Sequence, residues 1–248
     1  MTPAFGRVWR TLRGLWRWFG IAAALTVCGT LSIPTLALTG SGRLGHRLFA
    51  RAWGRFILFW CGVELRVEGL ENLDAGRSCV IVANHVSHYG FYAAAAALPL
   101  QWRAVIRAEM RKIPLFGYVA DRAGHVFIRL GDRARAEADL REGITRLGEG
   151  YTLLVFPEGR PGPVAGLHRF KRGAFRLAIE AGVPVIPMAL EETYEPGEPG
   201  ERGAWHAAPR RIRVSIGPAE STANLGEDDA GPLAEKLAAV IGARMGTG

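Results

Sequence analysis

Cysteine is scarce: the 248-residue chain has three, Cys28, Cys61 and Cys79, odd in number and widely spaced. That set excludes a disulfide framework and a cysteine-based zinc site, and it reads as buried thiols in a reducing compartment. No internal repeat is present, which excludes a repeat architecture. Apolar residues make up 49% of the chain, close to a soluble average, so a polytopic membrane protein is excluded too. The most informative absence is of negative charge. Residues 1–63 contain no acidic residue at all, yet they hold Arg7, Arg10, Arg13, Arg17, Arg43, Arg47, Arg51 and Arg55. Those eight are drawn from 31 basic residues, so the rest of the chain balances 23 basic against 23 acidic residues.

A localised basic excess can serve nucleic acid or an anionic membrane surface. Here the arginines are interleaved with Trp9, Trp16, Trp18, Phe19, Phe49, Trp53, Phe56, Phe59 and Trp60. Aromatics beside arginine, flanking an apolar run, describe a lipid interface, and no nucleic-acid partner is expected. Trp9, Leu12, Trp16 and Phe19 recur at helical spacing over residues 8–19. Residues 20–39 then form an uncharged apolar run of about the length a membrane span needs. A secretory signal fits poorly, because no short apolar core with a cleavage site is evident. Gly29 and Pro34 interrupt the run and arginines flank it on both sides, so it is expected to dip into the membrane and return. With a second helix over residues 44–61, this predicts a two-helix monotopic anchor over 1–61 at the cytoplasmic face of the inner membrane. One ordinary span is the alternative.

Past Cys61 the pattern changes. Strands are predicted over 64–68, 79–83, 104–107, 125–130, 152–156, 183–190 and 211–217. Helices are predicted over 91–98, 114–123, 133–147, 173–181 and 232–245, and an exposed loop over 191–209. The alternation implies an α/β domain over 62–248, a mixed, largely parallel sheet covered by helices.

Three polar clusters sit where chemistry is expected. Asn84-His85-Val86-Ser87-His88 directly follows a buried strand, so His85 falls at that strand's carboxyl end, where open α/β sheets bind ligands. Histidine there suits a general base. Phe156-Pro157-Glu158-Gly159-Arg160 follows another apolar strand, and Arg160 could hold a phosphate bidentately or close an ion pair with Glu158. Phe170-Lys171-Arg172-Gly173 precedes a helix, whose N-terminus favours anions; plain surface charge is the alternative.

In this order these residues resemble the glycerolipid acyltransferase family, which includes 1-acylglycerol-3-phosphate acyltransferase. Asn84-His85-x-Ser87 matches its first block, Gly124-His125-Val126-Phe127-Ile128 the second, Phe156-Pro157-Glu158-Gly159 the third, and Val183-Pro184-Val185-Ile186-Pro187 the fourth. Lys112-Ile113-Pro114-Leu115-Phe116-Gly117 looks like the segment between the first two. The resemblance implies a membrane-associated enzyme that moves a fatty acyl group from acyl-CoA or acyl-carrier protein to a lysophospholipid or other amphiphilic acceptor. It implies His85 as general base, with Asn84, Ser87, Arg129, Glu158, Gly159, Arg160 and Lys171 around the substrate, and no metal or organic cofactor. Three positions depart from the pattern. Gly90, after His85 and four intervening residues, stands where the family has Asp. Arg129 comes early, with Leu130 in the usual place of an arginine, and Arg160 follows Gly159 directly. Three accounts fit: loss of a carboxylate from an active scaffold, adaptation to another acceptor, or a non-catalytic lipid-binding descendant.

Overall fold

The computed structural model describes residues 3–40, 42–129, 131, 133–161, 166–194 and 207–246. Its first helix, α1 (Pro3–Thr39), joins the amphipathic stretch and the apolar run into one 37-residue rod. Gly29 and Pro34, expected to interrupt the run, lie inside it. A proline removes one N–H from the ladder, here the one that would reach the Thr30 carbonyl, and α1 continues through that gap with side-chain hydroxyls bonded to nearby carbonyls. Ser32 Oγ donates to the Gly29 carbonyl at 2.7 Å, and Thr35 Oγ1 donates to the Ser32 carbonyl at 2.7 Å. Within Val8–Thr39 this is, among the described residues, the one helix long and apolar enough to cross a membrane.

The chain returns through α2 (Gly42–Gly45), a π-helical turn (His46–Ala50) and α3 (Arg51–Cys61). Trp60 of α3 stacks on Trp16 of α1 with ring centroids 4.4 Å apart, and its Nε1 donates to the Trp16 carbonyl at 2.9 Å. The outward faces of these helices leave Leu12, Phe19 and Phe59 53%, 63% and 80% exposed, an apolar surface that water does not favour. The inward face of α3 packs on α4 (His88–Ala97), whose Ala93 to Ala97 are all buried. Gly54 makes this approach possible: a Cβ there would lie 2.6 Å from the Tyr92 carbonyl oxygen and 2.7 Å from the Ala96 nitrogen.

Seven strands follow: β1 (Glu64–Glu68), β2 (Val80–Ala83), β3 (Trp102–Arg107), β4 (Val126–Ile128), β5 (Thr152–Val155), β6 (Val185–Thr193) and β7 (Arg211–Ile216). They lie in the order β1-β7-β6-β2-β5-β3-β4. Every neighbouring pair is parallel except β6 with β7. The central strands β2 and β5 read as continuous apolar runs because both faces are covered, whereas the edge strand β1 alternates exposed and half-buried residues. Ile81 and Ala83 join the layer formed with α1, α3 and α4. Val80 and Val82 face α6 (Arg133–Gly148), α7 (Gly173–Glu180) and α8 (Ala230–Met245) on the opposite side. α5 (Phe116–Ala123) precedes β4. The fold class expected from the sequence therefore holds.

One strand runs longer than expected. Residues 191–193, read from the sequence as loop, extend β6 because they pair with β7 in the register Glu191↔Arg213, Glu192↔Ile212 and Thr193↔Arg211. An ion pair between Glu191 and Arg213 braces that extension. Residues 195–206 of the expected loop, and Leu130, lie outside the described residues.

Candidate active site

β2 and β5 are parallel neighbours in the register Val82↔Val155, so the segments after them leave the sheet on the same side. Asn84 ends β2 by clamping β6. Its Oδ1 accepts from the Leu190 N–H at 2.7 Å, and its Nδ2 donates to the Leu190 carbonyl at 2.8 Å. The next N–H, of His85, donates to Glu158 Oε1 at 2.7 Å, while the His168 N–H donates to Glu158 Oε2 at 2.9 Å. One buried carboxylate thus ties the loop after β2 to two points of the connection between β5 and α7. Ser87 caps α4, its Oγ accepting from the Tyr89 N–H at 3.0 Å and donating to Glu192 Oε1 at 2.7 Å.

These ties hold the His85 ring against Phe156, with ring centroids 4.8 Å apart. Its Nδ1 is buried and meets no hydrogen-bond partner among the described residues. Burial lowers the imidazole pKa below its ordinary 6.5, and a backbone interaction with Ser87 partly opposes that shift. The ring is therefore neutral at pH 7, as a base must be. His88 is also held neutral, lowered to about 4 by burial and by His85, and it stacks on Trp18 of α1.

His85 lines a cavity of about 1840 Å³ whose lining combines two unlike sets of side chains. Ile21 and Leu25 of α1, with Ile106 and Phe116, form an apolar wall. Arg160, Arg169 and Lys171 form a basic, solvent-exposed edge. Gly159 lets that edge close up. It adopts φ +70°, and a Cβ there would sit 2.7 Å from Lys171 Nζ. Such a lining suits a ligand with a long apolar tail and an anionic head.

The sequence-predicted residues separate accordingly. His85, Ser87, Gly159, Arg160 and Lys171 line the cavity. Asn84 and Glu158 do not; both are committed to backbone groups, so they shape the loops that carry the site. Arg129 turns away onto Asp139, its Nε 3.0 Å from Oδ2, because α6 presents that carboxylate directly beside the end of β4. Trp18 and Arg169, which also line the cavity, were missed. Arg169 adjoins the Lys171 cluster and could have been read with it; nothing local marks Trp18 as part of the site. No group of three His, Cys, Asp or Glu side chains among the described residues is arranged to hold a metal ion.

The Acyltransferase family model matches residues 64–191. A 1-acyl-sn-glycerol-3-phosphate acyltransferase of Pseudomonas aeruginosa is 31% identical over 211 residues, covering 80% of this chain and 77% of the relative. An enzyme of the same name from Saccharomyces cerevisiae is 26% identical, covering 88% and 72%. The crystal structure of the 1-acyl-sn-glycerophosphate (LPA) acyltransferase PlsC from Thermotoga maritima superposes with a TM-score of 0.80 at 22% identity, covering 96% of this chain and 95% of that one. That likeness speaks for the fold.

Proposed function

This chain belongs to the acyltransferase family and is an acyltransferase, and from that premise we propose that it transfers a fatty acyl group from an acyl thioester to 1-acyl-sn-glycerol 3-phosphate. The acceptor is the one in the relatives' names. One observation carries the assignment to this chain: the cavity that holds His85 is lined both by apolar side chains, Ile21 and Leu25 of α1 among them, and by the exposed cations Arg160, Arg169 and Lys171. A lysolipid with a phosphate head combines the same two chemistries. Acyl-CoA and acyl-carrier protein both supply the thioester chemistry.

In the proposed reaction, buried Nδ1 leaves Nε2 of His85 to meet the acceptor. Nε2 takes the hydroxyl proton as the oxygen attacks the thioester carbon. The tetrahedral intermediate collapses with cleavage of the C–S bond, and the thiolate recovers the proton from the imidazolium. Arg160 and Lys171 pair with the acceptor phosphate and place its hydroxyl beside His85. Residues 1–61 serve as the membrane anchor and 62–248 as the catalytic domain. The exposed apolar faces of α1 and α3 sit in lipid, and the flanking arginines favour the cytoplasmic face.

The test is thioester consumption by purified protein in mixed micelles. Oleoyl-CoA and oleoyl-acyl-carrier protein are each offered with 1-oleoyl-glycerol 3-phosphate, its choline and ethanolamine counterparts, and an amino lipid. Turnover with the phosphomonoester that disappears in His85→Ala supports the reading. Turnover only with acceptors lacking the phosphomonoester reassigns the acceptor, in keeping with the altered arginine positions. A second reading, lipid binding without turnover, is favoured by Gly90 where the family resemblance places Asp. It requires lysolipid affinity that survives His85→Ala and no product with any acceptor.

A further inference from the structure

Position 90 lies in the first turn of α4, five residues beyond His85, and as glycine it brings no carboxylate to the imidazole. A carboxylate nevertheless arrives there from another strand. A Cβ built at Gly90 would lie 3.7 Å from Glu192 Oε1 and 3.1 Å from Leu190 Cδ1. Glu192 is 7% exposed. Its Oε1 accepts from Ser87 Oγ at 2.7 Å, and its Oε2 accepts from the Tyr194 hydroxyl at 2.7 Å. The backbone N–H groups of Ser87 and Gly90 face it as well, and burial raises its pKa. A carboxyl group so placed is costly to desolvate. The sheet does not ask for it, because its register partner on β7 is Ile212.

We propose that Glu192 is the positioning carboxylate of this acyltransferase, reaching from β6 to the side of Gly90 and acting through Ser87 to orient His85. The inference rests on the reading of His85 as general base. Ser87 is two residues from His85, and its hydroxyl links the N-terminus of α4 to Glu192. A carboxylate at this point fixes the turn that carries the base, through the Ser87 hydroxyl and the N-terminus of α4. The chain thereby keeps a carboxylate beside this turn and changes the strand that delivers it. The competing role is purely structural: an anion stabilising the helix N-terminus.

Four proteins decide between these roles: wild type, His85→Ala, Glu192→Gln and the double variant Gly90→Asp/Glu192→Gln. Each is assayed for kcat and KM with oleoyl-CoA and 1-oleoyl-glycerol 3-phosphate, and each is melted. Glu192→Gln should lose kcat by a factor on the order of 10²–10⁴, in the range set by neutralising the orienting aspartate of a serine-protease triad. KM should stay within about threefold, as expected when only transition-state stabilisation is lost. The double variant should regain at least about tenfold of the lost kcat, since Gly90→Asp needs only a small shift of the Leu190 side chain. A Glu192→Gln enzyme with kcat within about threefold of wild type overturns the proposal. So does a folded double variant with no recovery, and loss of the melting transition in both variants assigns Glu192 to the fold alone. If His85→Ala turns over like wild type, the base reading itself fails. An inactive His85→Ala beside a fully active Glu192→Gln sinks only the role of Glu192.

Discussion

Glu158 offers the sharpest test of how the loops are held. Its two oxygens accept the N–H groups of His85 and His168, at 2.7 and 2.9 Å, from a side chain that is 4% exposed on a residue basis. Hydrogen bonds to a charged group are worth about 1.5–3 kcal/mol each. In Glu158→Gln one N–H keeps a carbonyl partner, weakened to a neutral bond, while the other faces an NH₂ donor. The loss sums to about 2–4 kcal/mol, with one buried amide left unsatisfied. For a chain of this size each kcal/mol moves Tm by roughly 2–4 °C, so the variant should melt roughly 4–16 °C below wild type.

Differential scanning fluorimetry in a mild detergent reads this directly. Glu71→Gln serves as the exposed control, expected to stay within about 0.5 kcal/mol of wild type. Activity should fall further than stability alone requires, because the His85 loop loses the tie that fixes it. A Glu158→Gln protein that melts within about 1 °C of wild type would refute the claim that this carboxylate binds the loops together.

Three other outcomes follow from the same geometry. Gly54→Leu puts side-chain atoms against the α4 backbone at Tyr92 and Ala96, which cannot rotate aside, and should destabilise by about 3 kcal/mol or more in a melting experiment. Burial lowers the His85 pKa, so the unprotonated base persists below pH 6.5: kcat/KM should hold steady from pH 8 to 6.5 and fall only at lower pH. Glu192, raised by burial, protonates in the same direction and steepens that fall, and an acid limb centred above 6.5 would contradict the assignment. Phe59→Glu lies on the outward face of α3 and should leave Tm unchanged while weakening flotation with anionic vesicles; forfeiting about 1.5–3 kcal/mol of aromatic burial corresponds to roughly ten- to hundredfold.

Most of the fold was legible because its strands are short apolar or alternating runs between turn signals. The expected strand over 64–68 matches β1 (Glu64–Glu68), and the expected strands over 79–83 and 152–156 overrun β2 and β5 by a single residue each. Local pattern also placed the His85 and Gly159 segments after two buried strands. It could not show that those strands are neighbours; the parallel register between Val82 and Val155 does that. The misreadings share a cause. Pro34 and Gly29 were given their isolated helix-breaking weight, which the packing of α1 on α2, α3 and α5 overrides. Residues 191–193 were read as loop from the glycines and prolines that follow, although the partner that makes them strand is β7.

The site divides along the same line. His85, Arg160 and Lys171 could be named from sequence because a base and two cations next to strand ends carry their chemistry in their own side chains. Asn84, Glu158 and Arg129 are equally polar, but their roles are set by partners on other elements, for Asn84 and Glu158 far along the chain and for Arg129 on α6. Asn84 bonds Leu190 across 106 residues, and Glu158 reaches His85 across 73. Glu192 is the extreme case. In sequence it is one acid in Glu191-Glu192-Thr193, and alternation along β6 sends Glu191 to Arg213 and Glu192 to Ser87, 105 residues away. The missing carboxylate was legible as an absence at Gly90, whereas its replacement depends on β6 running past the end of β2, at Ala83↔Met188, and carrying Glu192 alongside Ser87. A search for compensation at such a gap therefore belongs on the neighbouring strand, among buried acids without a cation beside them.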